Sequence, residues 1–340
     1  MQQFGQDLPD RKCPICENGL MDSDFIARGT GSEDIRFSVA RCRDCGYGRN
    51  LPIVPDEEIG RWYPPVYYGK GNVRFNVLFE RLVRLFRQRR ARVVAGRAHG
   101  GPVLDVGCGR GLMLSYLREL GFEPHGVELT EAGAWHARNK LQIDMHVGKL
   151  VEGPFRAEQF EAIVFWHSLE HMREPERILQ HAAKLLKPGG LLVVAVPNSD
   201  SLQARAFGPN WFHLDVPRHY VHFGDKSLRL LLSKLGFRVT QEDHFSLEQN
   251  PYGWLQSLYN ALGFDWNFLY DLIKDRGARS VSIRKHPFQA LSTVALLPLF
   301  LPLSLVLTVV EAALRKGGTI EVYAVKEGVI PAGAQHGGAR

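Results

Sequence analysis

"VLDVGCGRG", Val103 to Gly111, is the stretch on which the fold of this 340-residue chain turns. From Val103 onward apolar strands alternate with helices, the pattern of a doubly wound α/β sheet. The first strand runs into a turn whose glycines are Gly107, Gly109 and Gly111. Glycines there let a backbone come close to a cofactor where a side chain would collide. A dinucleotide-binding turn would read G-x-G-x-x-G, but Leu112 stands where its third glycine would fall, and Asp105 stands two residues before the first.

The alternation continues downstream. The second strand, "HGVEL", ends in Glu128, placed to accept hydrogen bonds from two ribose hydroxyls, as an acid does after the second strand of nucleotide-binding sheets. A third strand, "DMHVGKL", and a fourth, "FEAIVFWH", follow, the latter running into "SLEHM". A helix, a "KPGG" turn and a fifth strand, "LLVVAVPN", complete the series.

In order and spacing, Val103 to Asn198 resembles the class I S-adenosylmethionine-dependent methyltransferases. The resemblance implies a Rossmann-like seven-stranded sheet with an antiparallel last strand inserted between strands five and six, and S-adenosylmethionine as cofactor. It assigns Asp105 to the amino-acid end of that cofactor, and Gly107, Cys108, Gly109 and Gly111 to its methionine and ribose portions. Glu128 falls to the ribose, Leu150 to the adenine, His167 to a place beside the cofactor, and Leu129 also counts among the cofactor-binding residues. Lys149 departs from the acidic or small polar residue often found next to the adenine, so Leu150 is the firmer contact. "WFHLDVPRHYVHF", after strand five, resembles the corresponding segment of bacterial family-23 methyltransferases, which include ubiquinone-type O-methyltransferases and enzymes of surface-saccharide pathways.

Methyl transfer from a sulfonium is an in-line displacement in which the protein aligns the acceptor and, for a hydroxyl or amine, removes a proton. A histidine titrating near neutrality suits that task. His171, His219 and His222 follow carboxyl ends of strands, where ligands bind in open α/β sheets, and are the candidate bases. His171 could instead pin the next helix, and proximity with no protein base is a further possibility. Arg218, with Asp215 nearby, reads either as a clamp for an anionic acceptor or as a salt bridge closing the loop.

Upstream, "CPIC" at Cys13 to Cys16 and "CRDC" at Cys42 to Cys45 are two knuckles separated by 25 residues. Four thiolates in paired C-x-x-C turns suit tetrahedral zinc better than a redox dithiol, which needs one pair in a βαβ context. Gly46 helps the second knuckle fold back. A ribbon this short reads first as a structural staple, and second as a substrate or nucleic-acid contact. The polar start, with no apolar stretch of a secretory signal, and the cysteine usage suggest the cytoplasm.

The formal net charge of +6 is unevenly placed, since Arg74 to Arg97 carries eight arginines against Glu80 alone. Phe75, Leu78, Phe79, Leu82, Leu85 and Phe86 recur there at helical spacing. The segment reads as an amphipathic helix, either packing its apolar stripe on the main domain with a solvated arginine face or meeting an anionic membrane or nucleic acid. From Pro287 to Val310 no residue is charged. At about 1.5 Å per residue that length permits a membrane crossing. Strand six, "RVTQEDHF", and the last strand, "TIEVYAVK", flank it, however, and a crossing would separate neighbouring strands of one sheet. Either the run dips into one leaflet as a hairpin broken at Pro298 and Pro302, or it is a buried cap over the pocket.

The expected organisation is a zinc ribbon over 1–50, a connector and basic helix over 51–98, and a cofactor-binding core over 99–246. A cap or monotopic membrane insertion over 247–318, the last strand over 319–327 and a disordered tail over 328–340 follow. The expected activity is methylation of a small or lipid-linked acceptor, on an oxygen of a saccharide or isoprenoid-type molecule, with peripheral membrane contact through 287–315 and 74–97. The rival is an RNA or protein methyltransferase holding a polymer with ribbon and arginine helix. Trp166-His167-Ser168-Leu169 speaks against that rival, because it is not the Asn-Pro-Pro-Tyr type loop that stacks a planar amino group. Nucleic acid is therefore not the expected partner. A non-catalytic cofactor-binding scaffold is the third class, and the glycine turn and ribose acid are intact.

Overall fold

The structure, a computed structural model, describes residues 12–17, 21–30, 35–62, 77–274 and 276–327. The expected tail, residues 63–73 of the connector and the first residues of the arginine segment (74–76) lie outside these. Eleven strands are described: β1 (Met21–Arg28), β2 (Arg36–Cys42), β3 (Gly48–Leu51), β4 (Gly101–Val106), β5 (Phe122–Glu128), β6 (Asp144–Val147), β7 (Phe160–Trp166), β8 (Leu186–Pro197), β9 (Val221–His222), β10 (Phe237–Asp243) and β11 (Thr319–Lys326).

The larger sheet has the order β6-β5-β4-β7-β8-β11-β10. β4 to β8 are parallel, and β11 runs antiparallel between β8 and β10, as the sequence leads one to expect. The central strands are covered on both faces, which is why they read as unbroken apolar runs rather than alternating ones. The "KPGG" segment is not a separate turn. It forms the start of β8, with a register shift against β7 between Phe160 and Ala162.

The smaller sheet, β1-β2-β3-β9, crosses the domain boundary expected at residue 50. β3 pairs antiparallel with β9, a strand contributed by the α/β domain, through Gly48↔His222 and Arg49↔Val221. Pairing covers what would otherwise be an open edge of the ribbon. Tyr47 packs edge-to-face on Phe223 at 5.8 Å, and one apolar core runs from the cysteine knuckles into the large sheet.

The arginine-rich helix, Val77–Ala95, corrects the expectation of an apolar face inward and a charged face outward. Leu82 and Leu85 are exposed, whereas Arg90 is buried with its guanidinium 4.7 Å from the Trp166 ring. Arg87 Nη1 donates to Glu248 Oε1 at 2.6 Å, and Arg90 Nε donates to Oε2 at 3.0 Å. Burial alone would raise the Glu248 carboxyl, but the two guanidinium charges hold it at about 2. Burial, then the neighbouring Arg87, draws Arg90 down to about 10, so it remains charged at neutral pH. The helix turns Arg87 and Arg90 inward because the loop after β10 places an acid there, while Arg81, Arg84, Arg89 and Arg92 keep to the exposed side.

The apolar run is one continuous helix, Pro287–Ala313, passing through Pro298 and Pro302. It is neither a hairpin nor a buried cap, for both prolines and most of its leucines and valines are exposed. Both prolines lie on the exposed side of the helix, away from the flank that packs on the domain. The packed flank rests on helix Asn250–Ala261, where the Tyr259 hydroxyl donates to the Thr293 carbonyl at 2.8 Å.

Glu248→Gln leaves Arg87 and Arg90 without their countercharge. Removing one partner of a buried ion pair costs about 3 kcal/mol. Urea unfolding of the wild type and this variant measures the loss at neutral pH. Because the Glu248 pKa is depressed, its contribution is full above the ordinary carboxylate range and is lost as pH falls towards about 2.

Candidate active site

The carboxyl ends of β4, β5 and β7 and the turn after β6 bring the expected cofactor residues to one edge of the sheet. Gly107, Gly109 and Gly111 all have positive φ, at 79°, 53° and 70°. At Gly107 a Cβ would stand 2.6 Å from the Ser168 Cβ, and at Gly111 2.7 Å from the Ala137 Cβ, so these two are demanded by packing. A Cβ on Gly109 would meet nothing within 4 Å, and this is the glycine that leaves room for a ligand. Glu128 is locked beside it. Its Oε2 accepts from the Gly109 N–H at 2.9 Å and its Oε1 from the Leu129 N–H at 3.1 Å. Each oxygen keeps a lone pair for a diol, so the site fits the ribose of S-adenosylmethionine.

Asp105 is buried, and burial pushes its carboxyl up to about 7 against the pull of Arg90 and Arg87. A cationic ligand group at that carboxylate would favour the ionised form. Leu150 is buried in the short turn Leu150–Glu152, whereas Leu129 is more than half exposed. The Cys108 thiol lies 3.7 Å from the Met145 sulfur, and burial pushes it well above the usual thiol range, which makes it a packing group. His167 adopts φ 55° and donates its N–H to the Ala195 carbonyl at 2.8 Å. Burial and the Arg90 charge press its imidazole down to about 3, so it is neutral.

The three candidate bases separate. His171 and His219 face each other, ring centroids 4.6 Å apart and edge-to-face. His171 Nδ1 donates to the Arg218 carbonyl at 2.9 Å and His219 Nδ1 to the His213 carbonyl at 2.8 Å. In each ring that tautomer leaves Nε2 with the lone pair. His222 is elsewhere: it lies in β9, and its Nε2 donates to Asn50 Oδ1 at 2.8 Å, drawn into the ribbon sheet.

Of the two readings of Arg218, the structure shows the salt bridge. Its Nε and Nη2 donate to Asp215 Oδ1 at 3.1 and 2.6 Å, and the Thr30 hydroxyl donates to the same oxygen at 2.7 Å. Sequence reasoning passed over Glu170, although it stands inside the "SLEHM" segment. It is buried, burial pushes it up to about 7, and neither oxygen has a hydrogen-bond partner among the described residues. One donor atom each from Glu170, His171 and His219 lie within 4.8 Å of one another, near enough to share a proton or to surround a divalent cation.

The four knuckle cysteines converge, and all are free of disulfides. Cys13 and Cys45 sulfurs are 3.5 Å apart, and those of Cys16 and Cys42 3.6 Å. A zinc tetrahedron with bonds of about 2.3 Å has edges of about 3.8 Å, so the sulfurs stand close to the required spacing. Burial raises the Cys13 thiol to about 11 and the Cys45 thiol still further, so thiolates form here only with a cation to offset their charge.

Sheet order, glycine turn and ribose acid together define a class I S-adenosylmethionine-dependent methyltransferase domain. Residues 78–242, just under half of the chain, match the family-23 methyltransferase domain. The chain is 28% identical over 147 residues to a "Probable S-adenosylmethionine-dependent methyltransferase" of Mycolicibacterium smegmatis, covering 43% of this chain and 55% of that protein. It is 31% identical over 136 residues to a ubiquinone biosynthesis O-methyltransferase of Xanthomonas oryzae pv. oryzae, covering 37% of this chain and 56% of that protein. The chain thus spans about half the length of the curated relatives it matches. Among solved structures it is similar to a SAM-dependent methyltransferase from Archaeoglobus fulgidus, with 19% identity, a TM-score of 0.45, and 72% of this chain and 94% of that one covered.

S-adenosylmethionine carries a sulfonium and an ammonium, and binding it at Asp105, the contact the resemblance implies, would lower the Asp105 pKa. Linkage then makes donor affinity rise with pH up to about 7 and fall below it, by up to about tenfold per pH unit. Titration calorimetry with S-adenosylmethionine at several pH values measures the slope, and Asp105→Asn flattens it.

Proposed function

We propose that this protein transfers the methyl group of S-adenosylmethionine to an oxygen of a small or lipid-linked acceptor, a saccharide or an isoprenoid or quinone-type molecule. The observation that carries the reading is His171, whose Nδ1 is held by the Arg218 carbonyl, which leaves the lone pair on Nε2, and whose ring is flanked by His219 and Glu170. As the acceptor oxygen bonds to the methyl carbon, the carbon–sulfur bond breaks and its electron pair stays on sulfur, while the hydroxyl proton passes to His171 Nε2. The name of the Xanthomonas relative supports the quinone-type acceptor. The polymer reading has less support, since Arg87 and Arg90 of the arginine helix pair with Glu248 and Arg89 faces Glu321, while Arg81, Arg84 and Arg92 stay exposed.

Methyl transfer from labelled donor to a panel of phenolic and saccharide acceptors tests the activity. His171→Gln is expected to lower kcat by about 10² to 10³ with donor affinity unchanged. An unchanged kcat would remove His171 as the base, and methylation of RNA or protein alone would overturn the acceptor class.

We also propose that Cys13, Cys16, Cys42 and Cys45 hold zinc as a structural ion. The ribbon touches the acceptor-side loop: the Thr30 N–H donates to the Val216 carbonyl at 2.6 Å, the Asn50 N–H to the Tyr220 carbonyl at 3.1 Å, and the Asn50 side chain to the His219 carbonyl. Cys42→Ser should therefore abolish zinc in elemental analysis and lower Tm, while the donor-binding edge of the sheet keeps its affinity.

A further inference from the structure

The helix Pro287–Ala313 is built inside out. The residues it buries are Thr293, Ser304, Thr308 and Glu311, with Leu296, Leu297 and Phe300 half-covered by Leu255, Tyr259 and Leu269. Its outward face carries Phe288 at 83% exposure, Leu291 at 69%, Leu299 at 64%, Val306 at 60%, Val309 at 61% and Leu314 at 59%. A surface helix of a water-soluble protein has the reverse arrangement. Glu311 fixes this orientation, accepting from the Gln203 side chain at 2.9 Å and the Gly318 N–H at 3.1 Å. The Thr293, Ser304 and Thr308 hydroxyls are satisfied within the helix, donating to carbonyls one turn back at 2.7 to 2.8 Å. Rotating the helix to hide its leucines would tear Glu311 from both partners. From Phe288 to Leu314 the exposed apolar face extends about 39 Å, with no charged side chain before Glu311.

We infer that this helix lies in the plane of an anionic lipid bilayer and seats the protein on it. The helix is long and apolar enough to cross a membrane, but the chain leaves the sheet at β10 and re-enters it at the neighbouring β11, and a single crossing would set those two strands on opposite sides of the bilayer. Cations stand at both ends: Arg284 and Lys285 before the helix are exposed, and after it Arg315 is 63% exposed and shares Glu242 with Arg229. Those ends argue against a second copy as the occupant. Paired antiparallel, Arg284 and Lys285 would meet the copy's Arg315; paired parallel, each cationic end would meet itself. A plane of anionic headgroups meets both ends at once while the apolar face enters the acyl boundary. Val281 and Ile283 on the preceding helix, Arg276–Lys285, extend the exposed apolar surface. The inference does not rest on the methyl-transfer reading, and its test uses neither donor turnover nor acceptor.

The experiment is co-sedimentation of the full chain with vesicles of phosphatidylcholine, with and without phosphatidylglycerol. The wild type should sediment with the anionic vesicles more than with the neutral ones. Leu299→Ser/Val306→Ser/Val309→Ser, which alters only exposed positions, should weaken binding more than about tenfold with Tm unchanged. Arg284→Gln/Lys285→Gln should weaken binding to anionic vesicles about fivefold per cation and leave binding to neutral ones unaffected. Three results would overturn the inference: wild type left in the supernatant with both vesicles, equal binding to both, or a triple variant that binds as the wild type does. A vesicle-free dimer that the triple variant converts to monomer, with no vesicle binding by either, would assign the face to a second copy instead.

Discussion

Strand β11 must return between β8 and β10, and the rest of the structure accommodates that demand. Everything from His244 to Gly318 has to leave the sheet and come back beside its point of departure. A knot of buried amides closes this neck. Asn250 donates to the His244 carbonyl at 2.9 Å and accepts from the Thr319 N–H at 3.1 Å, while Asn198 donates to the Gly317 carbonyl at 3.0 Å. Gln203 joins the Asn250 carbonyl to Glu311, which ties the end of the apolar helix to the same knot. Buried polar networks of this kind specify one arrangement, since any other leaves their members unsatisfied. The apolar face of the helix is a consequence, because the polar residues are already committed inward.

The ribbon serves the domain in a comparable way. It donates a strand edge to β9 and fastens the loop from Asp215 to His222 through Thr30 and Asn50. That loop supplies the Arg218 carbonyl that orients His171 and the His219 ring that stands against it. A metal in the cysteine cluster would then act on the acceptor side at a distance, by holding the ribbon that holds the loop. The donor side depends on a different lock, in which Glu248 draws Arg87 and Arg90 beneath Asp105 and His167.

Burial without full compensation is the common feature of the candidate site. Asp105 and Glu170 are both raised to about 7, one facing the cofactor edge and the other facing the imidazole pair. Carboxyls kept near neutrality respond to an arriving cation or proton, which suits a site that binds a sulfonium and releases a proton. Burial acts the same way on Glu311, a structural acid also raised to about 7, whereas Glu248, with two guanidiniums, stays ionised to about 2.

The sequence by itself determined the alternation of strands and helices, the glycine turn with its spaced acid, and the paired C-x-x-C cysteines, because each is written in local spacing. The sheet order and the cofactor edge followed from the resemblance those motifs carry. Only the tertiary structure decided which charges are spent and which faces are covered. Arg90 and Leu85 follow helical periodicity equally well, and it was Glu248, 158 residues from Arg90, that turned the arginine inward and the leucine out. His222 reads like His219 in the chain, yet Asn50, 172 residues away, claims it for the ribbon. The apolar run reads as a hairpin or a cap until Gln203 and Gly318 hold Glu311 inside. These outcomes depend on long-range partners, and a partner's distance in the chain carries no signal in local pattern.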